Sequence, residues 1–405
     1  MIKIAPLLAP ALVLALTGCS LAPQYQRPEM ELPQAWDATS SIAIQTRWWE
    51  RFHDDTLNAL VEEALANNRN IAQAMASVRQ AQAALGMARD ALLPVPSAAA
   101  NGARTMARDA SSPTALQHGG RNTNAFSGSL SASWTLDFWG KYWNASESAR
   151  ASLVATEAAR DNVILTVAAS TVESWFWLSA YTWQEEIAES VLKNREDSLV
   201  LYQNRFDNGQ ISEYDLLSIR ANVETARNAL ASARIAKNAA ETSLAVLLGR
   251  SPAEIMKKNN LKAPSSLMTS LPTTPALPSD LPSRLLEQRP DIRQAEANLQ
   301  AANFDIGVAR AEFFPSFSLT GLLGSASLEL NELLRGANAY SALSGGLSLP
   351  LNFWTIKRGV DSAQAAKDSA VAAYELAVLN AFKDVRDALV PVSYTHLTLP
   401  TREDV

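Results

Sequence analysis

Between Gly140 and Gly209 the chain runs from Lys141 to Asn208 without a glycine or a proline. These two residue types most disfavour helix interiors, and the run is rich in Ala, Leu, Glu, Arg and Val, so it predicts one continuous helix. At 1.5 Å per residue that helix would be roughly 100 Å long, more than a compact domain of this size can enclose. Other helices must therefore pack along its length.

The next run, Gln210 to Leu248, is also free of both breakers. Within it Leu216, Ile219, Val223, Ala226, Leu230, Ala233, Lys237, Ala240, Leu244 and Leu247 alternate spacings of three and four, a coiled-coil seam broken only by Lys237. The two runs meet at a tight turn around Asn208–Gly209 and read as a long antiparallel helical hairpin. Taken alone, this stretch fits equally a solitary coiled-coil rod or a repeat of helix pairs.

A net charge of −6 over 405 residues lacks the basic footprint of a nucleic-acid binder, so no nucleic acid is expected as partner. The single cysteine excludes an intrachain disulfide. His53, His118 and His396 are scattered, and no spacing suggests a metal site or a nucleophile with its base, so neither an enzyme nor a cofactor or metal is expected. After the N-terminus no apolar run is long enough to predict a transmembrane helix. At the N-terminus, Lys3 precedes the apolar stretch Ile4–Leu16 and then Leu16-Thr17-Gly18-Cys19, the layout of a secretory signal over residues 1–18. Leu16 to Cys19 resembles the bacterial lipobox. That resemblance implies acyl chains on Cys19, and Ser20 after it, where Asp would retain the protein inside, points to the outer membrane.

Residues 19–53 then form a lipidated extended segment, with Pro23, Pro28 and Pro33 barring helix and Trp48-Trp49-Glu50 leading out of it. Asp54–Asn67 is amphipathic, with Leu57, Leu60, Val61, Ala64 and Leu65 on one face, and a second helix is expected from Asn70 to Leu93. Past Pro94 the texture changes. Phe126, Gly128, Leu130, Ala132, Trp134 and Leu136 alternate with Ser127, Ser129, Ser131, Ser133, Thr135 and Asp137, giving one apolar face and one hydroxyl face. That is about the length a tilted membrane strand needs. Val95–Arg108 is its expected partner, residues 109–123 the loop, and Phe138 and Trp139 the aromatics of a membrane interface. A half-exposed strand in a soluble sandwich is the other reading of this segment.

Prolines at 252, 264, 272, 275, 278 and 282 make residues 250–282 a linker, after which the chain repeats itself. Ile71–Pro94 aligns with Ile292–Pro315, with Ile71/Ile292, Gln73/Gln294, Ala74/Ala295, Gly86/Gly307, Ala88/Ala309, Arg89/Arg310 and Pro94/Pro315 identical. A second strand pair, 315–352, follows. Phe317, Leu319 and Gly321 alternate with Ser316, Ser318 and Thr320, and Leu343, Gly345, Leu347, Leu349 and Leu351 with Ala342, Ser344, Gly346 and Ser348. Phe353 and Trp354 match Phe138 and Trp139, and a helix is expected after Gly359. Repeat one thus spans 54–249, with strand pair 95–138 and hairpin 141–248, and repeat two spans 283–390. Four strands cannot close a barrel, and lipid does not tolerate open edges, so several chains would have to pool them.

At this point the chain resembles the TolC-like outer-membrane efflux proteins, in the lipoprotein branch serving RND-type multidrug pumps. The match rests on Leu285-Leu286-Glu287-Gln288-Arg289-Pro290-Asp291-Ile292, on Ile306-Gly307-Val308-Ala309-Arg310, on Phe313-Phe314-Pro315, on Arg205-Phe206-Asp207-Asn208-Gly209 and on Leu247-Leu248-Gly249. It implies a mainly α fold with a membrane β-barrel portion: four strands and long coiled-coil helices per chain in two structural repeats, completed as a trimeric α/β barrel. It implies an exit duct in the outer membrane of a Gram-negative bacterium, passing drugs or other small solutes. Its implied partners are two further copies in a homotrimer, a periplasmic adaptor, an inner-membrane RND pump and outer-membrane lipid. Asn208, Gly209, Gln210 and Ile211 stand where the family docks its adaptor, although Gln210 replaces an apolar residue common among relatives.

Against the family pattern, the repeat places a second tip and return helix beyond residue 405, about 60–70 residues in all. Residues 391–405, Pro391-Val392-Ser393 onward, match neither repeat nor family and are expected to be a non-native tail. Two other functions share parts of this pattern. One is a lipid-anchored periplasmic coiled-coil adaptor or structural rod, which would not need two strand pairs. The other is an exit duct for type I protein secretion, which the same scaffold serves.

Overall fold

The computed structural model describes residues 20–30, 47–105, 123–257 and 288–398. The signal segment with Cys19, most of the 109–123 loop, linker residues 258–282 and the stretch 283–287 lie outside them. The structure divides into two compact units, one drawn from Met1–Met30, Arg79–Thr156 and Ile292–Asn380, the other from Glu31–Val78, Glu157–Asp291 and Ala381–Val405.

A short 3-10 turn, Trp48–Phe52, leads into α1 (Asp55–Asn67) and α2 (Arg69–Asp90). Asp54 caps α1: its carboxylate accepts from the backbone N–H of Thr56 and Leu57 and from Trp175 Nε1 at 2.8 Å. The apolar face of α1 then enters a core in which Leu57, Leu60, Val61 and Ala64 meet Trp49, Ile71, Val167, Ala168, Val172, Trp175, Leu178, Leu244 and Leu248. The helix expected to reach Leu93 stops at Asp90, and Leu92 and Leu93 close 3-10 bonds to Arg89 and Asp90. The residue before a proline is pushed out of the α region, so the last turn tightens ahead of Pro94.

The breaker-free run is a single helix, α3 (Lys141–Asp207), and its antiparallel mate is α4 (Glu213–Leu247). The seam is where the spacing puts it, with Leu216, Val223, Ala226, Leu230, Ala233 and Leu244 buried. By length and composition alone α3 is long and apolar enough to cross a membrane, which corrects the expectation of no such helix downstream. The same helix supplies Val167, Ala168, Val172, Trp175 and Leu178 to the core described above. The proline-rich linker also opens with order: α5 (Pro252–Ile255) starts on a Ser251–Glu254 capping box with proline in its first turn.

After α6 (Pro290–Ala311) the second strand pair follows. The strands β1 (Val95–Thr105), β2 (Thr123–Leu136), β3 (Ser316–Ser327) and β4 (Ala339–Ser348) form one antiparallel sheet in that order. Leu349 and Leu351, expected in the last strand, lie past its end, where Pro350 cannot donate to a ladder. The final helix, α7 (Phe353–Thr398), begins six residues before Gly359 rather than after it. A lone glycine costs only about 1 kcal/mol inside a helix and does not stop a long one. Its backbone stays helical past the expected boundary at 390, through Pro391, since a proline removes one hydrogen bond and can be accommodated as a kink.

Candidate membrane sheet and hairpin tip

The register fixes which side chains share a face of the sheet. Leu130 stands between Ala98 and Leu323, Ala132 between Pro96 and Gly321, and Phe317 between Leu136 and Leu347. Ser131 stands between Ser97 and Leu322, and Thr320 between Ser133 and Ser344. One face is therefore leucine-rich and the other is dominated by hydroxyls, with Val95, Leu322 and the small side chains of Ala99, Ala326 and Ala342 among its apolar members. The hydroxyls bond across strands: Ser97 Oγ and Ser131 Oγ are 2.7 Å apart, and Ser344 Oγ donates to the Thr320 carbonyl. Among the described strand residues none is buried, and Arg104 is the one charged side chain. Leu130, Leu323, Leu343 and Leu347 are each more than 60% exposed, so no layer among the described residues covers the leucine face. The sandwich reading required such a layer. The outer edges of β1 and β4 have no partner strand among the described residues.

The chain leaves β2 through Asp137–Gly140. Gly140 takes φ +69°, and Asp137 Oδ2 accepts from the Trp143 backbone N–H at 2.7 Å, capping the start of α3. Here the aromatics expected at a membrane interface meet others that the sequence placed only in a strand or in the family match. Phe138 packs edge-on against Phe317 at 5.2 Å, Trp139 stacks on Phe314 at 4.6 Å, and Phe353 lies parallel to Phe313 at 6.5 Å. Trp139 donates its indole N–H to the Pro315 carbonyl at 2.8 Å and is half-buried, whereas Trp354 is 69% exposed. The repeat-matched pairs thus have different surroundings: one tryptophan locks the strand ends together and the other faces outward.

The hairpin tip is a Schellman turn. Gly209 has φ +69°, its N–H donates to Phe206 O, and the Gln210 N–H reaches back to Arg205 O. Asn208 Nδ2 donates to Asn204 O, and Ser212 starts α4 with a capping box to Asp215. Asn208, Gly209 and Gln210 are exposed and Ile211 is half-buried, so the four residues predicted for docking form one accessible turn. Behind it the two helices are cross-linked by charge. Arg234 contacts Glu185 and Glu189 at 3.0 and 2.6 Å, Arg227 contacts Glu196 at 3.2 Å, and Arg220 donates to Gln203 at 2.8 Å. Lys237, the break in the seam, donates to Glu185 at 3.0 Å. That hydrogen bond, with help from Arg234, holds the Glu185 carboxyl below its ordinary value.

Two functional-looking residues had no sequence signal of their own: Asn144 and Asn303 are fully buried amides, and only the repeat pointed near them, by placing Gly307 opposite Gly86. Arg289 and Asp291, named in the family motif, prove to be paired with each other at 2.6 Å, and Arg289 reaches Asp384 at 3.0 Å.

Residues 60–250 and 281–396 match the outer membrane efflux protein family. The cation efflux system protein CusC of Escherichia coli is 32% identical over 384 residues, covering 93% of this chain and 80% of the relative. The chain belongs to the outer membrane efflux protein family. A probable efflux pump outer membrane protein, TtgC of Pseudomonas putida, is likewise 32% identical, over 92% of this chain and 78% of its own. Among solved structures, the CmeC outer membrane channel of Campylobacter jejuni superposes with a TM-score of 0.79 at 30% identity, covering 92% of this chain and 79% of the other. The open-state MtrE outer membrane channel of Neisseria gonorrhoeae gives 0.76 at 30% identity, covering 92% and 82%. As a member of the outer membrane efflux family, this chain is an outer-membrane channel with a TolC-like, mainly α fold.

Proposed function

We propose that three copies of this chain pool their sheets into one barrel and act as the exit duct of a tripartite efflux system, with a periplasmic adaptor docking at Asn208–Ile211 and an inner-membrane pump behind it. The observation that carries this reading is the sheet with one leucine face, one hydroxyl face and two open edges. In lipid, the leucine face is solvated by acyl chains, the hydroxyl face lines water, and the edges must be closed by strands of neighbouring copies. Phe138, Trp139, Phe353 and Trp354 mark the periplasmic interface, and Cys19 carries the acyl anchor. The duct transforms nothing chemically and binds no cofactor. Relatives equally similar to this chain are named for cations, antibiotics and toluene, which supports a conduit that leaves selection to its pump and adaptor.

Planar-bilayer recording tests the pore. The acylated protein should open stable conductances, and replacing Gly209 by Glu should abolish solute resistance in cells while leaving that conductance intact. A chain that never conducts, or a tip variant that keeps full resistance, overturns the respective half of the reading.

A further inference from the structure

The residues that follow Cys19 lie along one helix in a single register. Ser20 Oγ donates to Asn144 Oδ1 at 2.7 Å. The Leu21 carbonyl accepts from the Arg310 guanidinium at 3.3 Å. Ala22 covers Gly307 so closely that a Cβ there would lie 2.8 Å from its nitrogen and 2.9 Å from its methyl. The Pro23 carbonyl accepts from Asn303 Nδ2 at 2.7 Å. Tyr25 donates to Glu296 Oε1 at 3.2 Å, and Arg27 grips both oxygens of the same carboxylate at 2.9 and 2.8 Å. As the number climbs from 21 to 27 along the segment, its partners descend α6 from 310 to 296.

The contacts are built rather than incidental. Asn144 and Asn303 are 0% and 1% exposed, and a buried amide without partners is costly, so the segment's hydroxyl and carbonyl supply a partner to Asn144 Oδ1 and to Asn303 Nδ2, while Asn144 Nδ2 and Asn303 Oδ1 have none among the described residues. Pro23 and Pro28 keep it out of helix. Burial, then the charge of Glu296, pushes the Tyr25 phenol up to about 12, so the phenol stays protonated as a donor at any physiological pH. The internal repeat supplies a control: at Gly86, which aligns with Gly307, a Cβ would meet nothing within 4 Å. The site of the segment's first contact is also specific. Asn144 lies in the first turn of α3, just after β2, and Arg310 lies six residues before β3. Residue 20 is thus held at the foot of the sheet.

We propose that Ser20–Arg27 is a positioning strap: docked in one register on α6, it delivers the membrane anchor to the foot of the sheet and ties the second repeat's helix to the start of α3, so that anchoring and assembly of that foot are coupled. The proposal rests on the acylation of Cys19 proposed above.

The test uses the full acylated chain, in which Cys19 is blocked and engineered thiols are uniquely labelled. Nitroxides at Gln24→Cys and Asp305→Cys, in spin-diluted membranes, should show strong dipolar broadening. Tyr25→Phe combined with Arg27→Ala, which leaves α6 untouched, should remove that broadening, as should Gly307→Leu. Gly86→Leu should retain it. The amount of chain inserted in the outer membrane should fall at least fivefold in the two undocked variants and stay within twofold of the parent in Gly86→Leu. Absence of broadening in the parent, or undocked variants that insert like the parent, overturns the strap. Mass spectrometry of the N-terminal peptide separates the two ideas: an unacylated Cys19 sinks the anchor reading, while the broadening still reports whether the strap is docked.

Discussion

Two glycines with the same backbone angle carry different loads. Gly209 and Gly249 both sit at φ +69°, but a Cβ on Gly209 would meet nothing within 4 Å, while one on Gly249 would fall 2.3 Å from the Asn67 carbonyl oxygen. Gly209→Ala should therefore cost about 1 kcal/mol, the strain of a left-handed alanine. Gly249→Ala should cost about 2–3 kcal/mol, because the same strain is joined by a backbone collision. Denaturant unfolding of the two variants checks the order, and equal losses would show that the α1–α4 corner relaxes freely. Asp54 is a second such residue. Its carboxylate serves two backbone donors and the buried Trp175 indole at once, so Asp54→Ala should lose about 2 kcal/mol, more than an isolated cap. None of these differences is visible in residue identity. The sequence marks a turn glycine or a capping aspartate, and the packing partner decides its weight.

The hairpin and the sheet make separate predictions at the scale of elements. In the hairpin, the folded pKa of Glu185 is depressed, chiefly by the Lys237 hydrogen bond. Its contribution to stability is therefore complete above the ordinary carboxylate value of 4.5 and drains as pH falls through the lower folded value. Both partners keep some solvent contact, so the effect should not exceed about 1 kcal/mol. Glu185→Gln should accordingly flatten the loss of melting temperature between neutral and acid pH, and an unchanged slope would discount the pair. The periodicity marked Lys237 as a defect in the seam. A partner on the other helix of the hairpin, Glu185, 52 residues away in sequence, turns it into a register pin of the kind polar core residues provide in coiled coils. In the sheet, Leu323→Lys puts a charge on the leucine face and Ser131→Lys puts one on the hydroxyl face. The first should destabilise the membrane-inserted protein by about 2–4 kcal/mol and the second far less, as measured by denaturant extraction from vesicles. Reversal of that order would mean that the faces have been assigned the wrong way round. Strand alternation was legible from β2 and β4 in the sequence. β1 was not, because its Ala-rich face barely alternates, and only its pairing with β2 assigns Ser97 and Ala98 to opposite sides.

For the whole molecule, the open edges are the decisive feature. Cysteines placed on the outer strands, Ala99→Cys on β1 and Ser344→Cys on β4, should form disulfides between chains and none within one, giving a ladder that ends at a fixed oligomer. Crosslinks confined to single chains would indicate a sheet that closes on itself. The amino-acid sequence by itself determined the local and periodic features: an unbroken helix, a heptad seam, strands with a two-residue period, and an internal duplication. These are set by each residue's own backbone preferences and by neighbours within a few positions, so spacing alone reveals them. Tertiary structure decided what joins segments far apart in the chain: the order of the four strands, the partner of Lys237, the inward turn of Trp139, and the strap of Ser20–Arg27 on α6. An extended segment has no periodicity to betray what it covers, and a hydrogen bond from residue 25 to residue 296 leaves no mark at either position until the fold brings them together.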